Sequence, residues 1–162
     1  MQSTLEIKIS TLLKEKCIEL ELKEIKKEQV IAELVNAVVR AGSFKNKKLL
    51  YKGILDREKL GSTAIGNNIA IPHTKIEKLK KLILVFGRSA AGVDFDSLDG
   101  GRTHLFFLLI SPKENIGIHL KVLATISHLV KDKFNIALLR KARNKKEVIA
   151  IIAGIEKRLR AS

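Results

Sequence analysis

The chain has 162 residues, 46% of them apolar, a mean hydropathy of +0.06 and a formal net charge of +14. That describes one ordinary globular domain with a core of its own. It excludes a bilayer-crossing helix, since no apolar run approaches ~20 residues. A single cysteine, Cys17, excludes an internal disulfide or a cysteine zinc cluster and reads as a packed or idle thiol.

In chain order, residues 5–13 carry apolar positions at Leu5, Ile7, Ile9, Leu12 and Leu13. This predicts a short strand or turn leading into a helix that starts at Ser10 or Thr11. The opening Met-Gln-Ser-Thr-Leu-Glu lacks the basic-then-apolar pattern of a signal peptide, so a cytoplasmic protein is expected. Residues 19–22 suit an extended segment. From Lys27, Val30, Ile31, Leu34, Val35, Val38 and Val39 recur at helical spacing, and Gly42 stands where a helix cap belongs. A second helix is predicted over residues 46–59, with Leu49, Leu50, Ile54 and Leu55 inward and Arg57 near its end.

Residues 56–73 break this pattern. Gly61 and Gly66 permit unusual backbone angles, and Ser62, Thr63, Asn67 and Asn68 supply turn-forming polar groups. Ile69-Ala70-Ile71 then delivers Pro72 and His73. The proline fixes its own φ and biases Ile71 toward extended geometry, so the imidazole is presented at a stiff position. A histidine beside a proline is ordinarily a turn residue. Arg57 just upstream, with a permissive loop between the two, lifts this one out of that class.

Residues 82–86 predict a strand. Residues 92–101 are turn-rich and contain Asp94, Asp96 and Asp99, but the spacing lacks the later glutamate and the glycine placement of a calcium loop. Residues 104–110 are apolar on both alternating faces, as in a central strand covered on two sides, and Ser111-Pro112 ends it. A helix follows over residues 120–131, with His119 in its first turn, where positive partial charge favours an anion. His128, nine residues on, faces the opposite side, and His104 opens a strand. The interesting pair is therefore His73 and His119. A short helix or turn at residues 134–139 (Phe134, Ile136, Leu138 and Leu139 inward) and a last helix from about residue 146 complete the chain.

Helices alternating with short apolar strands predict an α/β layered domain, with no repeat, linker or second domain. The basic excess is strongest after residue 110, where Lys131, Lys133, Arg140, Lys141, Arg143, Lys145, Lys146, Lys157, Arg158 and Arg160 face few acids. With no Trp, one Tyr, and Phe106 and Phe107 inside a strand, stacking platforms are not evident. Zinc-finger and helix-turn-helix patterns are missing as well. The charge reads as solvated helix faces, and nucleic acid is not the expected partner.

The stretch from Arg57 to His73 closely resembles the active-site segment of fructose/mannitol-type EIIA domains of the bacterial phosphoenolpyruvate-dependent phosphotransferase system. The likeness continues through Gly92-Val-Asp-Phe-Asp-Ser-Leu-Asp-Gly100, Leu105-Phe-Phe-Leu-Leu-Ile-Ser-Pro112 and His119-Leu-Lys-Val-Leu-Ala124, and on to residues 147–152. Covering nearly the whole of residues 1–162, it is most like the stand-alone nitrogen-regulatory branch. The resemblance implies a single domain with a mixed central sheet flanked by helices. It implies His73 as the phosphorylated nucleophile, with Arg57 as phosphate clamp and His119 stabilising the phosphate. The expected partners are an HPr-type phosphocarrier, with a IIB domain or regulatory targets beyond it; no cofactor or metal is called for. The alternatives are a sugar-specific EIIA that passes phosphate to a separate IIB component and, from a different class, a basic nucleic-acid-binding protein. A metallohydrolase is weakest, because His73 and His119 lack a third ligand. Two departures stand out. Thr74 replaces the Gly or Ala of many relatives, which predicts an altered approach for the partner, and the basic balance is unusual beside phosphocarriers that present a positive surface.

Overall fold

The computed structural model describes residues 7–161, so Leu5 lies outside the described residues. The fold is built on β6 (Thr103–Pro112). Successive side chains of a strand point to opposite faces. Leu105, Phe107 and Leu109 therefore enter one core, and Phe106, Leu108 and Ile110 enter another. Both sets are fully buried.

On one side β6 pairs antiparallel with β5 (Ile83–Val93), which runs on beyond the predicted residues 82–86; β1 (Ile18–Glu19) lies parallel outside it. On the other side the segment read from sequence as a loop turns out to be a sheet edge. β3 (Ile69–Ala70) and β4 (His73–Ile76) follow one another along β6, both parallel to it, from Ile69 opposite Leu105 to Ile76 opposite Pro112. Pro72, which has no N–H to give, separates them, and its carbonyl still accepts from Leu109 N at 3.0 Å. β2 (Ala64–Gly66) folds back on β3 through a two-residue turn, Asn67 (φ 55°) and Asn68 (φ 70°). Positive φ at both central residues is what a type I′ hairpin requires, and asparagine tolerates it. Among the described residues the sheet is mixed and six-stranded.

Helices α2 (Lys27–Arg40) and α3 (Lys47–Lys59) cover the Phe106 face. Helices α1 (Ile9–Leu12), α4 (Ile116–Leu129), α5 (Lys133–Lys141) and α6 (Lys145–Ala161) cover the Phe107 face. As predicted, Gly42 (φ 76°) ends α2: its N–H bonds Val39 O and the Ser43 N–H bonds Val38 O, the two bonds of a Schellman cap. Asn46, Asn115 and Asp132 cap α3, α4 and α5 through their side chains. Helix α1 is capped from far away. Glu156 of α6 accepts from Ile9 N (2.6 Å), Ser10 N (3.2 Å) and Ser10 Oγ (2.5 Å).

Two residues predicted inward are exposed, Leu49 at 46% and Phe134 at 62%. The buried stripe of α3 is Leu50, Ile54 and Glu58, each four residues from the last, and Leu49 sits 100° off it. In α5 the stripe is Ile136 and Leu139, and Phe134 lies two residues, 200°, away. Cys17 is buried as expected, its Sγ 3.8 Å from Ser43 Oγ.

Helix α3 approaches β4 closely at Gly53, where an added Cβ would fall 2.5 Å from Thr74 Oγ1. Thr74 is buried under this helix, so it does not face an approaching partner, contrary to the expectation from sequence. Gly53→Ala should therefore cost about 1–2 kcal/mol in urea unfolding, the overpacking penalty less the gain in helix propensity. Turning the threonine only swaps its hydroxyl for its methyl, because its χ1 is stiff. Adding Thr74→Ala to the same chain should restore most of the loss.

Candidate active site

The three residues singled out in sequence meet at one place. Arg57 stands in the last turn of α3, anchored by its Nη1–H to Gly61 O at 2.9 Å. Its Nε–H donates to His73 Nε2 at 3.2 Å. His73 opens β4, and its Nδ1 lies 2.8 Å from Ile71 O. A carbonyl only accepts, so the ring proton belongs on Nδ1 and Nε2 keeps its lone pair. The donor from Arg57 agrees with that assignment. His119, in the opening turns of α4, places its ring centroid 5.3 Å from that of His73, with the planes at 58°.

Sequence reading missed the residues that hold these three in place. Glu58 follows Arg57 but points inward. It takes an ion pair from Lys27 Nζ at 2.9 Å and hydrogen bonds from Thr63 N (3.2 Å) and Thr63 Oγ1. Thr63 O accepts from Ile71 N at 3.0 Å, and Ile71 O in turn holds the His73 ring. A buried acid thus ties the helix end to the strand that presents the imidazole. The clue in the sequence was its place on the Leu50–Ile54 stripe. Ser111, fully buried on β6, lies with its Oγ 2.7 Å from His119 Nδ1; no local pattern signals a contact set by strand register and a helix start.

The other candidates stand apart from this group. His104 turns its Nδ1 to Ser89 O at 2.9 Å, and His128 is exposed in the last turn of α4. The three aspartates of residues 92–101 serve the local turn and its neighbours. Asp94 accepts from Asp96 N, Asp96 from Lys27 Nζ, and Asp99 from Gly101 N, Ser97 Oγ and Asn67 N. Among the described residues no group of three His, Cys, Asp or Glu is placed to hold a metal ion. No described helix is long and apolar enough to cross a membrane.

Residues 11–154 match the family described as phosphoenolpyruvate-dependent sugar phosphotransferase system, EIIA 2. The chain belongs to that family. It is 36% identical over 132 residues to a nitrogen regulatory protein of Bradyrhizobium diazoefficiens, covering 82% of this chain and 86% of that one. It is also 36% identical over 146 residues to the fructose-specific EIIABC component of Bacillus subtilis, covering 90% of this chain but only 23% of that longer protein. The crystal structure of nitrogen regulatory protein IIA-Ntr from Neisseria meningitidis superposes with a TM-score of 0.83 at 30% identity, over 89% of this chain and 98% of that one.

The electrostatics of this EIIA domain keep both rings neutral. The His73 pKa is lowered chiefly by burial; the bond to the Ile71 carbonyl comes next and opposes it, and the Arg57 charge, weaker than either, lowers it further. That of His119 is lowered to about 4, by burial first and then by His73 and Lys75. A neutral His119 has one ring proton, and Ser111 decides where it sits. If His119 Nδ1 carried it, the buried hydroxyl of Ser111 would have no acceptor among the described residues. The hydroxyl therefore donates to Nδ1, leaving an Nε2–H. Ser111→Ala frees that choice of tautomer. The nitrogen chemical shifts of His119 should then show mixed tautomers, phosphoryl uptake should fall about ten-fold (one hydrogen bond's worth), and Ser111→Thr should restore both.

Proposed function

We propose that this EIIA domain receives a phosphoryl group on His73 Nε2 from an HPr-type phosphocarrier and acts as a nitrogen-type regulatory EIIA. One observation carries the reading: Nδ1 is committed to Ile71 O while the Nε2 lone pair faces the Arg57 guanidinium. In the transfer, the Arg57 Nε–H turns from Nε2 to a phosphoryl oxygen, and the P–N bond to the carrier breaks as the P–Nε2 bond forms. The positive charge gained by the ring is shared with the Ile71 carbonyl through the Nδ1 proton. Phosphoryl transfer asks a protein mainly for alignment and charge stabilisation. Arg57 supplies charge and a planar fork of donors, and His119 Nε2–H supplies another donor. Leu60, Ile116 and Leu120 are exposed on the chain segments that carry Arg57 and His119, which suits docking of a protein donor.

The regulatory reading rests on likeness over nearly the whole length of the Bradyrhizobium protein. The Bacillus relative supports a second reading, a fructose-type carrier that passes its phosphoryl group to a separate IIB component. Incubation with phosphoenolpyruvate, enzyme I and an HPr-type carrier should place one acid-labile phosphoryl group per chain, on His73. No label from any such carrier would overturn the proposal. Adding a fructose-type IIB domain separates the two readings, since a regulator should keep its phosphoryl group and a sugar carrier should lose it.

A further inference from the structure

Between residues 131 and 160, ten lysines and arginines face three acids. The structure shows each of those acids already engaged. Asp132 caps α5, Glu147 pairs with Arg143 at 3.1 Å, and Glu156 is buried under the start of α1. The exposed charge of this layer is therefore almost wholly positive, and phosphoryl transfer at His73 does not account for it.

The cations are gathered around α5. On one side, Lys133, Arg140 and Lys141 line a groove of about 590 Å³ whose other wall is the Asn67–Asn68 hairpin tip and Asp99. On the other, Lys131 and Arg158 line a second hollow of about 350 Å³, with Arg158 held in place by Asn135 Oδ1 at 3.2 Å. Phe134 stands at the first turn of α5 and belongs to neither hydrophobic core. Residues three and seven apart share a helix face. Phe134 therefore lies on the same stripe as Ala137 and Lys141, at the edge of the larger groove.

An uncovered aromatic ring costs a fold something and returns nothing to it. Set among cations, it has the form of a stacking platform beside a phosphate track. This ring was read as inward from the sequence, and its exposure supplies a stacking platform that the sequence did not show. We propose that the α5 surface, with Phe134 at its centre and Lys133, Arg140, Lys141 and Arg158 around it, binds a single strand of nucleic acid. A duplex hides its base faces and offers the ring nothing to stack on. An anionic membrane fits less well. A helix that lies in a lipid interface buries a whole apolar face, whereas Ile136 and Leu139 of α5 are committed to the core.

The test is fluorescence anisotropy with a labelled oligouridylate of about twelve nucleotides, within the usual site size. The full-length protein is titrated at about 50 to 200 mM KCl. Log affinity should fall with log salt at a slope of about −3, for roughly four phosphate contacts on a single strand. Arg140→Ser with Lys141→Ser should make the slope shallower by about 1.4. Phe134→Ala should weaken binding at least about five-fold at every salt concentration, and Phe134→Tyr should restore it. All three positions are exposed, and circular dichroism should report an unchanged fold. The proposal is overturned by absence of strand binding at the lower salt, by wild-type affinity in Phe134→Ala, or by a duplex that binds as tightly as the strand. Binding to phosphatidylglycerol vesicles without binding to the strand would assign the surface to membranes and overturn it as well.

Discussion

His73→Ala should take up no phosphoryl group from a phosphorylated carrier, and it should unfold within about 1–2 kcal/mol of the parent chain. The loss is complete because no other imidazole stands ready. His119 is near, but its lone pair lies on Nδ1, turned to the fully buried Ser111 where no phosphoryl donor can reach, and its Nε2 carries the proton. His104 is bonded to Ser89 O, and His128 lies at the far end of α4. The stability change is small because the His73 ring is only half-buried and gives up two part-buried hydrogen bonds, one of them to the half-buried guanidinium of Arg57. Radiolabel from phosphoenolpyruvate, followed through enzyme I and the carrier, reads the first part, and urea titration reads the second. Undiminished labelling would remove His73 from the chemistry.

Arg57→Ala should keep the labelled residue and lose the rate. Removing one pre-organised donor from a site of developing negative charge costs about 10²–10³-fold. In the proposed transfer Arg57 is such a donor, tied to Gly61 O so that its Nε–H already points at His73 Nε2. Arg57→Lys should recover only part of the rate, since an ammonium restores charge without the planar fork. The same variant carries an equilibrium signature. Burial is the main cause of the lowered His73 pKa, and the Arg57 charge adds to it. Loss of that charge should move the pKa up toward 6.5, visible as a shift in the ring's NMR titration. Transfer at the parental rate with an unmoved titration would show that the guanidinium does not act on His73.

How far the chain could be read in advance depended on whether a residue's neighbours lie nearby in sequence. The stripe of α2 and the doubly apolar β6 are local patterns, and they were legible. That Arg57, His73 and His119 stand together was expected as well, through the likeness of the surrounding segments. The strands β2 to β4 were not legible, because runs of two to four residues carry no period; β3 and β4 are placed by pairing with β6, more than thirty residues on, and β2 by pairing with β3. Leu49 and Phe134 misled because an apolar side chain in a short helix suggests a buried face without identifying which one. Glu58 and Ser111 look like ordinary polar residues; only contact with Thr63, Lys27 and His119 makes them part of the site.

The bond from Glu156 to Ile9 spans 147 residues, and this has a consequence for the order of events on the ribosome. Synthesis runs from the N-terminus at about 5–20 residues per second. The backbone N–H groups at the start of α1 thus wait roughly seven to thirty seconds for their acceptor to be made. Until then α1 has one turn, no local side-chain cap and few contacts, too little to hold a helix alone. The first helix written in the chain is therefore among the last to lock. A nascent chain stalled before residue 156 should leave the amides of Ile9 and Ser10 open to exchange even where the sheet is already protected.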